Sequence, residues 1–409
     1  MAATPPALSR ALAWRLDALN FLLADVRGAL GPFLNVYLVT ARGWTQTAIG
    51  LATGVSGLVA LLANAPAGAL IDRSRAKRGL LALALIVIGL AGLVFAWAPQ
   101  FWPVLIASTA MGLAGDLIGP AVAALTLGLV RRAALARRLA RNSAFDHAGN
   151  IAIALLAGAV GYGFTQRAVF FLAPVFVALA LGVLGSIPAA AIDHARARGA
   201  VVPPPEGGAA LSFRDLLGDR PLMILAACVA LFHFANAPLL VLVGQKLAIA
   251  HPDYASAAMA ACIIGAQAVM LPIALAVAPA AERFGHKPVF LVGFVVLLVR
   301  ALLYPLSDAS AWLLGVQLLD GVGAGIYGAL MPLLLADLMR GTGRYNLAQG
   351  LIATAQGVGA SLSGIAVGVV VDRFGYSAGF LALGGVAGLA LMVFVLAMPE
   401  TARRDEAEA

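Results

Sequence analysis

Charge is what this chain has least of. Only 11% of its 409 residues are Asp, Glu, Lys or Arg, against about a quarter in a typical soluble domain. That is too little to coat a water-facing surface. Cysteine is almost absent: Cys228 and Cys262 are the two in the chain, and both lie in apolar runs. They read as small hydrophobes and provide no disulfide framework. No phosphate-binding loop, zinc-ligand spacing or nucleophile elbow occurs, so a membrane ATPase or hydrolase has no support. No enzyme activity, cofactor or metal is expected. Gly321-Val322-Gly323-Ala324-Gly325 is rich in glycine, but it sits inside an apolar run with no strand before it. Residues 1–15 lack a compact apolar core ending in a small-residue cleavage site, so no cleavable signal peptide is expected.

What the chain has is apolar length. Hydrophobic residues make up 62% of it. A helix needs roughly 20 mostly apolar residues to cross a bilayer. The runs are continuous rather than alternating, which excludes a β-barrel. The expectation is an all-α membrane protein of twelve transmembrane helices, near 16–40, 47–71, 79–98, 101–130, 142–164, 168–192, 221–250, 256–280, 288–306, 311–339, 345–371 and 377–398.

The net charge of +8 sits in short loops, so it marks topology and not a nucleic-acid partner. One side holds Arg10, Arg15, Arg73, Arg75, Lys77, Arg78, Arg131 through Arg141, Arg196, Arg198, Arg214, Arg220, Arg283, Lys287, Arg340, Arg344, Arg403 and Arg404; the other has Arg42, Arg167, Lys246 and Arg373. Positive charge stays on the cytoplasmic side, which places both termini there and fits an even number of spans. Residues 193–220, with Pro203-Pro204-Pro205 and Gly207-Gly208, read as a flexible linker. The linker separates an N-terminal six-helix bundle (1–192) from a C-terminal one (221–409). The halves look like copies: Asp72-Arg73 matches Glu282-Arg283, Phe171-Leu172-Ala173 matches Phe380-Leu381-Ala382, and Gly112 and Gly119 match Gly321 and Gly328, at offsets of 209 or 210 (282 − 72; 321 − 112).

The stretch Gly68-Ala69-Leu70-Ile71-Asp72-Arg73-Ser74-Arg75-Ala76-Lys77-Arg78 follows the second span. A Gly, a later Asp-Arg pair and a basic cluster at this place resemble the loop between the second and third helices of the major facilitator superfamily. A weaker copy is Glu282-Arg283-Phe284-Gly285-His286-Lys287. The resemblance covers nearly the whole chain and implies two pseudo-symmetric six-helix bundles, alternating access and a monomer. It implies a gating role for Gly68, Asp72, Arg73, Lys77, Arg78, Glu282 and Arg283. Two patterns of drug:proton antiporters are missing: Ser108 stands where an Arg would precede Gly112, and the fifth span has no Gly-Pro.

Charge at bilayer depth is costly, about 2.5–3.5 kcal/mol on insertion scales, so buried polar residues are the candidate site. Asp25 and Arg27 lie at mid-depth in the first span, about 200° apart around a helix; Asn20 shares nearly the face of Arg27. Arg27 precedes Pro32 by five residues, as His233 precedes Pro238 in the seventh span. By the resemblance these two spans face each other, so Arg27 and His233 would grip an anionic group on the solute. Asn236, Gln267, Tyr327 and Gln356 are expected as cavity hydrogen-bonders. Asp116, with Asp25 or Asp320, is expected to carry a proton. Asp146, sharing a face with Asn150, is expected at the gate. Arg300, near the end of its span, is expected to snorkel, and Asp337 to partner the basic loops. The partners expected are a small organic solute, protons and membrane lipids. Efflux of amphipathic compounds, with Phe232 and Phe234 in an apolar cavity, is the alternative; a non-transporting membrane receptor is a third.

Overall fold

The computed structural model describes residues 9–24, 30–74, 76–193, 217–340, 342 and 344–401. Among them there is no β-strand. The helices are α1 (Arg10–Ala24), α2 (Gly31–Thr40), α3 (Gln46–Arg73), α4 (Lys77–Trp97), α5 (Phe101–Leu129), α6 (Arg132–Gly163), α7 (Leu172–Ser186), α8 (Arg220–Ala250), α9 (Ala255–Phe284), α10 (His286–Leu303), α11 (Ser310–Leu338) and α12 (Tyr345–Ala397). Ten stretches of the described residues are long and apolar enough to cross a membrane. Two details bring them to twelve spans. The described residues of the first span fall in α1 and α2, before and after residues 25–29. The second is that α12 contains two spans joined at Gly375, whose φ of 82° lies in the left-handed region that glycine enters without steric cost.

Local chemistry sets the helix ends. The Asp219 carboxylate accepts the Leu222 N–H at 3.1 Å, and a proline sits in the first turn of α8, a favoured start. Gly285, at φ 92°, ends α9 and lets α10 begin one residue later. Residues 131–141, expected as loop, are helical almost throughout, because α6 already begins at Arg132. This Ala- and Arg-rich stretch has high helix propensity, and propensity prolongs the helix beyond the apolar run.

The internal repeat is visible in the element boundaries. α3, α4 and α5 open at Gln46, Lys77 and Phe101, and α9, α10 and α11 at Ala255, His286 and Ser310. Each pair differs by 209 (255 − 46, 286 − 77, 310 − 101).

Two compact units divide the described residues. One gathers those of Met1–Arg42, Val55–Gly207 and Asp253–Ala260, the other those of Gly43–Gly54, Gly208–Pro252 and Ala261–Ala409. α3 therefore begins in the second unit and continues in the first; its counterpart α9 does the reverse. In the first unit Leu16, Leu19 and Leu23 of α1 share a core with Leu85 and Ile88 of α4, Ile118 and Leu125 of α5, and Leu184 of α7. The second unit has an aromatic core: Phe294 and Phe394 stack at 4.6 Å between centroids, and Tyr304 and Phe380 at 4.7 Å. Helices in a bilayer associate by close packing of small residues rather than by hydrophobic collapse. Gly321 and Gly325, four apart on α11, follow that rule. A β-carbon on Gly321 would lie 2.2 Å from the Ala266 carbonyl oxygen, so α9 rides directly on the backbone of α11.

Candidate functional site

Three helices of the second unit bring polar tips onto one aromatic base. His233 is on α8, Tyr327 on α11 and Gln356 on α12. The His233 and Tyr327 rings meet edge to face at 4.7 Å. The Tyr327 hydroxyl donates to Gln356 Oε1 at 3.2 Å. Below them Phe232 and Phe290 stack on Tyr327 at 5.7 and 5.9 Å; both phenylalanines are buried, whereas the three polar residues are half-buried. His233 Nδ1 lies 3.1 Å from the Val229 carbonyl oxygen one turn back. A carbonyl only accepts, so Nδ1 carries a proton and donates to it, and Nε2 is the ring nitrogen left out of this bond. The cluster thus offers an imidazole, a hydroxyl and an amide, held in place by rings packed in the core. Asn236 is half-buried on the same helix, one turn after His233, and Gln267 is half-buried on α9.

The carboxyls expected to carry protons differ in their surroundings. Asp320 on α11 is ion-paired with Arg300 of α10 and accepts from Gln317 Nε2 at 3.1 Å. Gln317 in turn accepts from the Tyr304 hydroxyl. Arg300 does not snorkel: it is 2% exposed, because its counter-charge lies inside the bundle. Asp116 on α5 is half-buried, and its enclosed Oδ2 has no hydrogen-bond partner among the described residues. Asn20, in the first unit, is 3% exposed and donates to the Leu16 carbonyl of its own helix at 2.8 Å. Asp25 and Arg27 lie outside the described residues.

Around the basic ends of the helices, cations sit on helix C-termini. Lys77, almost wholly buried, donates to the Ile71 carbonyl near the end of α3. Arg78 donates to the Leu184 and Gly185 carbonyls, both at 3.1 Å, at the end of α7. In the repeat, His286 and Lys287 take these two places. Lys287 Nζ donates to the Val395 carbonyl at 2.9 Å, at the end of the last span. Carbonyls at helix C-termini lack internal partners and carry partial negative charge, which is what a cation satisfies. The reverse pairing occurs at the start of α10, where the Glu400 carboxylate accepts the His286 and Lys287 N–H groups, both at 3.1 Å. His286 Nδ1 lies 2.9 Å from Asp337 Oδ2. Glu282 and Arg283 are exposed at the end of α9. Gly68, Asp72 and Arg73 fall in the last turns of α3, with side chains outside those described. Asp146 on α6 receives Asn150 Nδ2 on its carbonyl at 3.1 Å.

A model of the Major Facilitator Superfamily matches residues 16–275 and 222–409. The chain belongs to this superfamily. Two relatives, both described as uncharacterized MFS-type transporters, come from Mycobacterium tuberculosis strains CDC 1551 / Oshkosh and ATCC 25618 / H37Rv. Each is 43% identical over 404 residues, covering 98% of this chain and 96% of the relative. Among solved structures, a point mutant of the nucleoside transporter NupG superposes with a TM-score of 0.81 at 13% identity, covering 95% of this chain and 100% of that one. The inward-open xylose transporter XylE from E. coli gives 0.70 at 14%, covering 96% and 97%. The superfamily fold of twelve transmembrane helices is thereby shown, and the chain is a multi-pass membrane transporter, not an enzyme.

Two polar networks of this superfamily member escaped the sequence. Asp17, fully buried on α1, accepts from Arg138 Nη2 and from Arg141 Nη2 on α6, each at 2.6 Å. Arg138 continues to Asn142 at 2.7 Å, and Asn142 to Thr126 of α5 at 3.1 Å. The Arg138-to-Asn142 spacing of four was the available signal; it requires knowing that the stretch is helical. The second network is at the start of α3. There Asp372 accepts the backbone N–H groups of Gln46 and Thr47 at 2.8 and 2.7 Å, while Gln46 Nε2 donates to the Tyr376 hydroxyl at 2.9 Å. A carboxylate from α12 thus caps α3, and no local sequence pattern announces it.

Proposed function

We propose that this chain is a secondary active transporter moving a small organic solute across the bacterial inner membrane by alternating access, with protons as the coupling ion and both termini cytoplasmic. The observation that carries this reading is the His233–Tyr327–Gln356 cluster. Polar groups inside membrane spans are costly and mark solute or ion pathways, and here three helices deliver them to one point. The asymmetry of Lys and Arg between the two sets of loops supports the orientation. For the proton, Asp116 is the better carrier: its enclosed Oδ2 has no donor among the described residues, whereas Asp320 is committed to Arg300 and Gln317.

A carboxylate on the solute is the reading that Arg27, with His233, supports. A neutral hydroxylated solute is the second reading. It is favoured by the uncharged hydroxyl and amide that Tyr327 and Gln356 present beside His233.

The test is transport in proteoliposomes with an imposed pH gradient, using labelled organic acids, nucleosides and pentoses. Gradient-driven accumulation of one class is expected, with Asp116→Asn abolishing accumulation but preserving counterflow. Loss of carboxylate transport in Arg27→Ala supports the anionic reading; unchanged transport in that variant with loss in Tyr327→Phe supports the neutral one. No accumulation and no counterflow of any class would overturn the proposal, and transport confined to hydrophobic cations would replace it with efflux.

A further inference from the structure

The second unit also carries an apolar groove that the polar cluster does not use. It has a volume of about 420 Å³ and no charged side chain on its walls. Ile273, Ala276 and Ala280 of α9 form one wall and Val292 of α10 the other. Val322 and Ile326 of α11 line it as well. Its origin is the glycine pair already described: Gly321 and Gly325 draw α9 onto α11, and the next residue after each of them lines the groove.

Its length and its mouth point to an occupant. From Ile273 to Phe284 α9 advances eleven residues, about 16 Å at ~1.5 Å per residue. One leaflet of a hydrocarbon core of ~30 Å is about 15 Å deep. Phe284 lines one end of the groove, at the basic end of α9, and the Arg283 guanidinium lies over its ring at 5.0 Å from the centroid. Arg283 is exposed and has no ion-pair partner among the described residues, whereas its neighbours His286 and Lys287 are engaged by Asp337 and the Val395 carbonyl. A peptide segment in such a groove would leave its backbone groups without partners. A second copy related by two-fold symmetry would bring the same surface, Arg283 included, against itself.

We propose that this groove binds one acyl chain of an anionic phospholipid from the cytoplasmic leaflet, with Arg283 holding the headgroup phosphate. Juxtamembrane cations attract anionic lipid, and the groove gives that attraction a fixed address. The proposal is independent of which solute is carried.

The test uses the full chain, purified in detergent and stripped of lipid. It is titrated with long-chain phosphatidylglycerol, phosphatidylcholine of the same chains, and dihexanoyl phosphatidylglycerol, with native mass spectrometry counting bound lipids and thermal shift reporting stabilisation. One tightly retained long-chain phosphatidylglycerol is expected, bound at least about 10-fold more tightly than phosphatidylcholine. Arg283→Gln should remove the preference between headgroups. Ala276→Trp and Val292→Trp, which fill the groove from opposite walls, should each abolish the retained lipid while eluting as single folded species. Equal retention of the two headgroups by the unmodified protein, equal binding of the dihexanoyl lipid, or retention that survives both tryptophan variants would overturn the proposal. So would a dimer that the tryptophan variants convert to monomer, because a second copy would then cover the groove.

Discussion

The buried pair of Arg300 and Asp320 makes a sharp quantitative test. Arg300 is 2% exposed, so solvent cannot take over the role of its counter-ion. Asp320→Asn keeps shape and volume but removes the negative charge. It leaves the guanidinium enclosed with Nε and Nη2 already lacking partners among the described residues. Breaking a buried pair from one side costs about 3–5 kcal/mol, because an uncompensated charge stays behind. At roughly 2–4 °C per kcal/mol for a unit of this size, Asp320→Asn should lower the melting temperature by roughly 10 °C. The double variant Asp320→Asn with Arg300→Met removes both charges and should recover most of that loss. The protein supplies its own assay. Cys228 and Cys262, its two cysteines, are buried in the same unit, so a thiol-reactive fluorophore reports when that unit opens. If Asp320→Asn melted within about 2 °C of the unmodified protein, or the double variant were no better than the single one, the pair would not be holding charge in the way argued.

Other expectations follow from the same geometry. Arg138→Gln, which strips a buried partner from fully buried Asp17, should cost about 3–5 kcal/mol; Arg141→Gln, at a half-exposed partner, should shift the melting temperature far less. Asp372→Ala uncaps α3, so the Gln46 and Thr47 amides should exchange roughly 3–10-fold faster in hydrogen-exchange mass spectrometry, a modest factor because the carboxylate is exposed. Gly321→Val puts a side chain where the Ala266 carbonyl already sits, and the stability loss should reach the upper end of the roughly 1–3 kcal/mol typical of overpacking; a variant melting like the unmodified protein would mean α9 is not seated as described.

The twelve spans were legible because apolar length is a property of the sequence itself. The repeat was legible through a few matched residues and reappears as matched helix starts. His233, Tyr327 and Gln356 could each be singled out as polar residues within apolar runs. Their meeting could not, since it depends on how α8, α11 and α12 pack. Arg300 was misjudged because its position near a span end invites snorkelling, while its partner lies twenty residues on, in another helix. The extension of α6 was hidden for a different reason: it is helical by propensity, and a hydropathy pattern is blind to that. Asp372 illustrates the general limit. Its role is to cap a helix that begins 326 residues earlier, and nothing near it in sequence marks that helix start.

The crossing of α3 and α9 between units bears on how the protein is made. A ribosome that has just passed Gly207 has not yet completed the first compact unit, which still awaits Asp253–Ala260. The second unit, conversely, requires Gly43–Gly54, which was synthesised long before the rest of it. Each unit therefore draws on residues synthesised at widely separated times. A fragment ending before Asp253 would lack a piece of the first unit, and one beginning after Gly54 a piece of the second.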